Sequence, residues 1–193
     1  GVMGTGWTEP YGAFAAELPG YVDLRLLDGR VVRFAANGST FDRPQELTAG
    51  LSRDADGSLR LTFNGGVVWE FDAAGRLERT TDASGVSATV TRDSAGRVTT
   101  VVSSAGGASL AFTYTGDRLT GVTASDGRSV AYGYTAGRLT SFTDAAGKVW
   151  TYGYDGSGWL NSVTDPTNVV VMSSTYDSFG RVVAQSTPDG GAE

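Results

Sequence analysis

The sequence repeats itself every 20–22 residues, and this recurrence restricts the fold more than any other feature. Six positions at or just beyond a turn glycine are spaced by 21, 21, 20, 21 and 22 residues: Arg76, Arg97, Arg118, Arg138, Trp159 and Arg181. An aliphatic residue follows each of them: Leu77, Val98, Leu119, Leu139, Leu160 and Val182. A repeat of this length is one small structural unit that buries its apolar face only against its neighbours. We therefore expect similar units lying side by side.

Each unit is predicted to be a β-hairpin, most clearly between Gly137 and Gly158. Residues 138–143 favour a strand, residues 144–147 favour a turn, and residues 148–154 alternate in polarity. The second strands carry aromatic residues two places apart, which puts both on one face. These aromatics are Phe112 and Tyr114, Tyr132 and Tyr134, Tyr152 and Tyr154, with Tyr176 alone. The pattern predicts a wall of rings, each meeting the ring of the next hairpin.

One spacing does not fit an ideal strand. Leu139 and Phe142 are three residues apart, so a regular strand puts them on opposite faces. Either a β-bulge restores their alignment, or both faces of the sheet are partly covered. The sequence leaves these two alternatives open.

The composition favours many tight turns and a buried core. The chain of 193 residues is 40% hydrophobic and contains 28 Gly but only 5 Pro. The segments between the glycines alternate, so the glycines indicate hairpin turns rather than a low-complexity linker. Helix is nearly absent from this interpretation, and the fold class is all-β: repetitive antiparallel hairpins forming a curved, spiralling sheet.

Charge and residue types exclude several classes of function. The net charge is −6, and Lys and Arg never cluster, which argues against binding to nucleic acid or to an anionic membrane surface. No apolar run approaches the roughly 20 residues that a membrane-spanning helix needs. Without Cys or His, thiolate and imidazole metal sites and Cys- or His-based catalysis are excluded. We expect no cofactor, no metal and no catalytic residue.

The N-terminal part is less regular than the repeats. Residues 1–20 are predicted to be an irregular plug whose Trp7 and Tyr11 pack over the sheet, and residues 39–50 a loop. Short strands are predicted at 21–27, 30–35, 51–53, 59–63 and 67–71, separated by Asp-Gly and Asn-Gly turns. We therefore divide the chain into residues 1–70, the plug and first hairpins, and residues 71–193, the repeats. Because it does not begin with Met, we expect an excised piece of a longer protein.

The repeated motif resembles the YD repeat of the RHS family. The clearest matches are YTAGRLTSFTDAAGKVWTYGYD at 134–155, YDGSGWLNSVTDP at 154–166 and FDAAGRLERTTDASG at 71–85. The opening GTGWTEPY at 4–11 resembles the start of the repeat region in that family. The resemblance implies a β-sheet ribbon wound into a spiral shell. Such a shell encloses a toxic domain in bacterial RHS toxins and insecticidal toxin complexes, and a related barrel belongs to the teneurin adhesion receptors.

Other functions were weighed for the polar and aromatic residues. The turn aspartates could form a calcium ladder, but the repeat is too long for a calcium β-roll, so we expect them to bond their own backbone: Asp28, Asp56, Asp82, Asp126, Asp144, Asp155 and Asp165. A pair of carboxylates could serve a glycoside hydrolase, although no motif singles one out. The arginines could bind an anionic glycan and the aromatics a sugar, but structural use is favoured for both.

The preferred interpretation is a non-enzymatic wall segment of a larger secreted or cell-surface protein that encapsulates or delivers a toxin. The alternative is a carbohydrate-binding or adhesion module, and the third is a glycoside hydrolase. The expected partners are the remaining shell or a second copy at the open sheet edges, and a toxin domain or a glycan.

Overall fold

The chain folds entirely into antiparallel β-strands over the described residues. The computed structural model describes residues 2–4, 7 and 11–188. Its strands are β1 (Phe14–Leu18), β2 (Tyr21–Arg25), β3 (Val31–Asn37), β4 (Thr40–Phe41), β5 (Ala49–Arg53), β6 (Leu59–Phe63), β7 (Val68–Phe71), β8 (Leu77–Thr81), β9 (Ser87–Arg92), β10 (Val98–Ser103), β11 (Ser109–Thr115), β12 (Arg118–Ala124), β13 (Ser129–Thr135), β14 (Arg138–Thr143), β15 (Val149–Tyr154), β16 (Leu160–Thr164), β17 (Val170–Tyr176) and β18 (Val182–Ser186). The predicted all-β class of consecutive hairpins is confirmed.

The strands follow one another in space as they do in the sequence. One sheet has the order β1-β2-β3-β4, and the other runs from β5 to β18 with every strand beside its sequence neighbours. Neither order closes on itself, so each sheet ends in edge strands. In the described residues, no helix is long and apolar enough to cross a membrane.

The chain forms two compact units. Unit 1 consists of residues 1–2, 6–112 and 124–126, and unit 2 of residues 3–5, 113–123 and 127–193. The boundary predicted at residue 70 is a division by sequence pattern, and it stays a prediction.

Unit 1 contains a two-sided core. Alternate side chains of β2 and β3 pair inward, as Val22 with Phe34 and Leu24 with Val32. They share one buried cluster with residues of β5–β8, including Leu59, Leu61, Phe71 and Leu77. Because β-strand side chains alternate between faces, the apolar side of β1–β3 is covered by the apolar side of β5–β8.

The predictions for the N-terminal part were wrong at two places. Residues 14–18 belong to β1, which pairs with β2 along its whole length, rather than to an irregular plug. The segment 39–50 contains β4 and the start of β5, rather than only a loop. Both strands are short and end beside Gly or Pro, so their alternation was too brief to recognise.

Tyr11 packs on the sheet as predicted. Its ring meets the ring of Phe112 edge-on at 6.2 Å and lies against the cluster of Val90, Val98 and Val101. Arg92 holds the Tyr11 segment to the sheet, because its Nη2 donates to the carbonyl oxygens of Tyr11 at 2.9 Å and Leu77 at 3.2 Å. Trp7 is half-buried. The remainder of the predicted plug at residues 1, 5, 6 and 8–10 lies outside the described residues.

Unit 2 has a much thinner core. In its described part, the buried side chains are those of Met3, Leu119, Leu139 and Ser174. The aromatic residues of its second strands are half-buried. Unit 2 therefore relies on contacts within its sheet to a greater degree than unit 1.

A β-bulge in each repeat aligns its aliphatic and aromatic side chains. In β14, Leu139 faces Tyr134 and Ser141 faces Gly133, which leaves Thr140 as the extra residue. Phe142 then faces Tyr132, so Leu139 and Phe142 lie on the same side of the sheet. We call the six positions aligned in the sequence the signature positions. In four other repeats an equivalent register shift leaves one residue without a partner in the neighbouring strand, two places after the signature position: Glu78, Thr99, Asn161 and Val183. Of the two alternatives for the Leu139–Phe142 spacing, the bulge is the correct one.

Candidate functional site: the contacts that join the repeats

Seven aspartates fold the same five-residue turn. In each, the carboxylate Oδ1 accepts the backbone N–H groups two and four residues later at 2.8–3.0 Å, and the aspartate N–H donates to the carbonyl four residues later. They are Asp72, Asp82, Asp93, Asp144, Asp155, Asp165 and Asp177. A residue with positive φ closes the turn, Gly in most cases and Asn168 in one. Each carboxylate replaces a missing backbone partner, so the turn is held from inside.

The predicted role of the turn aspartates is confirmed where their bonds are described. Asp82, Asp144, Asp155 and Asp165 belong to the shared turn, while Asp28 and Asp56 accept one backbone N–H each, from Arg30 and Ser58. Asp126 stays a prediction. Sequence reasoning missed Asp72, Asp93 and Asp177, although each begins an Asp-x-x-Gly-Arg string that signals this turn.

These hydrogen bonds favour the charged carboxylate. The backbone N–H of Val169 and the hydroxyl of Thr167 lower the pKa of Asp165 below its ordinary value. Ser84 and then the backbone lower the pKa of Asp82. Backbone N–H groups and the guanidinium of the following arginine lower the pKa of Asp93 and Asp177. These four lowered pKa values stabilise their turns at neutral pH, and that contribution is lost as the pH falls into the acid range.

Three signature arginines pair with the aspartate of their own turn. The Nε atoms of Arg76, Arg97 and Arg181 donate to Asp72, Asp93 and Asp177 at 2.9, 2.8 and 2.7 Å. These pairs are partly or largely exposed, so each contributes little stability beyond fixing the side-chain direction.

The signature side chain also reaches the turn glycine of the next repeat. A Cβ atom at Gly158 would overlap the Arg138 guanidinium, and one at Gly96 or Gly137 would lie 3.3 Å from the guanidinium of Arg76 or Arg118. At Gly180 the Trp159 ring lies 2.9–3.2 Å from that position. The described glycines thus have two functions: they adopt a positive φ, and they leave room for the preceding repeat. We call these contacts the glycine steps.

A second contact joins the repeats through tyrosine hydroxyls. Tyr134 donates to the carbonyl of Leu119 at 2.7 Å, Tyr154 to that of Leu139 at 2.7 Å, and Tyr176 to that of Leu160. The donor always lies on a second strand, and the acceptor follows the signature residue of the strand before it. Near the acceptor the two strands diverge, since β14 and β15 pair only through residues 141–143 and 149–151. We call these three bonds the tyrosine ladder, because they supply a partner to carbonyls at the open end of each strand pair.

The other predicted signature residues lie beside these contacts. Leu77, Leu119 and Leu139 are fully buried, and Leu160 is half-buried. The Tyr132 ring packs on Phe142 at 5.5 Å, and Trp159 packs on Tyr176 at 5.4 Å. Tyr114 and Tyr152 are half-buried at the corresponding places of β11 and β15. Strand pairing, ring contacts and hydroxyl bonds bring these predicted residues together. The continuous wall of rings stays a prediction.

The aromatic face of unit 2 is only half shielded from water. Burial raises the pKa of the Tyr132, Tyr134 and Tyr152 hydroxyls above the ordinary value, so all three are neutral at physiological pH. The Arg138 guanidinium lies 5.7 Å from the centre of the Tyr154 ring and covers part of it. This face offers half-buried rings and neutral hydroxyls to whatever lies against it.

The acidic residues of unit 1 line a cleft together with arginines. A cleft of about 320 Å³ is lined by Asp54, Asp56, Glu70 and Glu78 together with Arg60 and Arg79. Arg60 pairs with Asp54 at 3.2 Å and with Glu70 at 2.8 Å. Hydrogen bonds from Ser58 lower the pKa of Asp56. Glycosidases need one carboxylic acid whose pKa is raised, and the hydrogen bonds of Asp56 shift its pKa in the opposite direction. In the described part of the chain, no group of three or more acidic side chains is arranged to hold a metal ion.

The comparison with family models identifies the repeat. The RHS repeat model matches residues 71–109 and 135–170. These two stretches are RHS repeats. The two matched stretches contain Arg76 and Arg97 in one and Arg138 and Trp159 in the other, so the resemblance to the RHS and YD repeats is confirmed.

Solved structures similar to these RHS repeats are distant in sequence. The Photorhabdus luminescens Tc holotoxin pore matches at 18% identity, over 90% of this chain and 12% of that chain, with a TM-score of 0.47. A TcdB2-TccC3-Cdc42 complex matches at 14% identity, over 89% and 13%, with a TM-score of 0.35. The chain spans about an eighth of either matched chain. No curated protein matches the sequence at a significant level.

The glycine steps predict unequal effects at two otherwise similar glycines. Gly147 and Gly180 both close an aspartate turn, with φ of 78° and 79°. A Cβ atom at Gly147 meets open space, whereas at Gly180 it meets the Trp159 ring. We expect Gly147→Ala to cost about 1–2 kcal/mol from backbone strain, and Gly180→Ala about 1–3 kcal/mol more from overpacking.

Urea unfolding followed by circular dichroism measures both changes. The variant Trp159→Ala lacks the ring. In that background we expect Gly180→Ala to lower the unfolding free energy by no more than Gly147→Ala does. Equal costs of the two glycine substitutions in the unchanged background would contradict the glycine step.

The tyrosine ladder predicts a specific loss on removing one hydroxyl. Tyr154→Phe keeps the ring but leaves the Leu139 carbonyl without its donor, so we expect a loss of about 0.5–1.5 kcal/mol in unfolding free energy. The matched control is Tyr132→Phe, whose ring rests on Phe142 in the neighbouring strand pair and is expected to change stability by less than about 0.5 kcal/mol. A loss at position 132 as large as that at 154 would mean that the ladder bond is not the cause.

The aspartate turns predict the direction of the pH dependence. A carboxyl whose folded pKa is lowered contributes stability above its unfolded pKa of about 3.9 and loses it as the pH falls through the folded value. The urea midpoint should therefore fall from about pH 4 downward. The double variant Asp82→Asn with Asp165→Asn keeps the Oδ1 acceptors without the charge, and its midpoint should fall less steeply than that of the unchanged chain. Identical acid profiles would contradict the role of these two carboxylates.

Proposed function

We propose that this chain is a non-enzymatic wall segment of a larger RHS-repeat β-shell. The observation that carries the proposal is that successive repeats are joined by the same contacts, the glycine steps and the tyrosine ladder. A contact that recurs from repeat to repeat extends a sheet indefinitely, whereas a catalytic or binding cleft needs unlike residues converging on one point.

The charge distribution supports a structural role. Arg76, Arg97 and Arg181 each pair with an aspartate of their own turn, and Arg33 binds Asp23 through two nitrogens at 2.7 and 2.8 Å. These cations fix local geometry in the sheet. They are thereby less suited to bind an anionic ligand, because a ligand would have to displace the existing carboxylate.

The larger protein is proposed to be secreted or displayed at the cell surface and to encapsulate or deliver a toxic domain. The half-buried aromatic face of unit 2 supports this step, because a monomeric protein rarely leaves such a surface without a purpose. The enclosed domain and the remaining repeats are the proposed partners.

The test uses the complete natural polypeptide that contains these residues. Limited proteolysis with intact mass spectrometry should show a segment outside the present chain that resists cleavage. Leu119→Ala with Leu139→Ala removes two fully buried side chains at about 2–5 kcal/mol each and should make that segment cleavable. The control is Val102→Ala with Val149→Ala, at exposed positions on strands that already have both neighbours, which should preserve protection.

Equal protection in the wall-breaking variant and the control would contradict encapsulation. Micromolar binding of the folded chain to a glycan array, together with unprotected flanking segments, would instead support the adhesion alternative.

A further inference from the structure

β18 is an edge strand, but its sequence resembles that of the interior strands. It pairs with β17 on one side and is the last strand in the sheet order. Its side chains are exposed, with Val182 at 53% and Val183 at 61%, and the Arg181 side chain is 75% exposed. Exposed strand edges invite pairing with another strand, and this one carries no Lys or Pro within it to prevent that.

The position of β18 in the repeat indicates what lies beside it. Val182 occupies the place of Leu119, Leu139 and Leu160, whose carbonyls each accept a tyrosine hydroxyl from the following strand. Arg181 occupies the place of Arg118, Arg138 and Trp159, which each lie on the turn glycine after that strand. The tyrosine and the glycine are separated by three or four residues: Tyr134 to Gly137, Tyr154 to Gly158, and Tyr176 to Gly180.

We propose that the β18 edge is a docking site for an antiparallel strand that carries tyrosine followed, three or four residues later, by a turn glycine. The tyrosine hydroxyl donates to the Val182 carbonyl, and the glycine receives the Arg181 guanidinium. The inference rests on the proposed function and deepens it, because it states which sequence continues the wall.

A second copy of the chain does not supply this strand through its described edges. The other edge strands are β1, β4, β5 and, in the copy, β18 itself. At the point where β5 leads into its turn, Arg53 stands where the docking strand needs tyrosine, and β4 contains only Thr40 and Phe41. β1 and β18 contain no tyrosine. The partner is therefore a further segment of the same repeat type rather than a second copy.

The register of the partner strand follows from the repeats already present. In β14 and β15, Ser141 faces Thr151 and Phe142 faces Trp150, three and four residues before Tyr154. Ala184 and Gln185 hold the places of Ser141 and Phe142, counted from the signature residue. The docking strand therefore faces Ala184 and Gln185 with the residues three and four places before its tyrosine.

The test extends the full chain by one strand. A copy of residues 151–160, TYGYDGSGWL, joined directly after Glu193 puts its second tyrosine fifteen residues after Val182, which is the separation of Tyr154 from Leu139. We expect hydrogen exchange of the amides in residues 182–186 to slow at least tenfold. The matched controls carry the same extension with its second tyrosine changed to Phe, with its third glycine, the copy of Gly158, changed to Ala, or with its sequence scrambled.

The outcomes separate the possibilities. Protection that is lost with the scrambled extension and reduced by the Phe and Ala changes supports the proposal. Equal protection by the scrambled extension overturns it. Protection of residues 182–186 in the unextended chain that grows with protein concentration also overturns it, since it identifies a second copy as the occupant. Protease protection in the complete polypeptide together with a failed extension would leave the wall function standing and reject only this partner.

Discussion

The structure depends on one steric constraint: a place where a Cβ atom is missing. At Gly158 the Arg138 guanidinium overlaps that place, and at Gly180 and Gly137 the Trp159 ring and the Arg118 guanidinium come within 2.9 and 3.3 Å of it. Each of these glycines also has a positive φ, which an L-residue adopts only at a cost. Turn geometry and inter-repeat packing are thereby set by the same residue. The Gly-Arg pair recurs because the glycine receives one neighbour while the arginine reaches the next.

The bulge solves a second geometric problem. The strand must present an aliphatic side chain to the core and an aromatic one to the neighbouring ring, yet these residues are three apart. The extra residue at Thr140 shifts the pleat so that Leu139 and Phe142 share a face. The pairing of β14 with β13 continues past the bulge to Leu139 and Arg138, whereas its pairing with β15 stops at Ser141. The tyrosine ladder therefore acts where the backbone ladder to the following strand has ended, and Tyr154 supplies the donor that the Leu139 carbonyl accepts there.

The sequence predicted the repeats better than the contacts between them. Alternation and turn chemistry are local, so β6 at Leu59–Phe63 was predicted at its observed bounds and the aspartate turns were recognised. The two-residue strand at Thr40–Phe41 has no period to detect. The partner of the Tyr154 hydroxyl lies fifteen residues away across diverging strands, and nothing in the local pattern specifies it. Likewise, Arg92 resembles the other arginines in sequence, but its role in holding Tyr11 depends on how the N-terminal segment meets the sheet.

The two units show how repeats of this kind can be stable with little core. Unit 1 buries apolar side chains from two sheets, including Phe34 and Phe71, and so resembles an ordinary sandwich. Unit 2 fully buries only a few side chains in its described part, and its repeats are held by turns, bulges, glycine steps and hydroxyl bonds. Each such contact contributes on the order of 1 kcal/mol, but each joins only neighbours, so the total grows with the number of repeats. A wall built this way gains stability with each added repeat rather than from a deep core, and its aromatic face stays half-exposed.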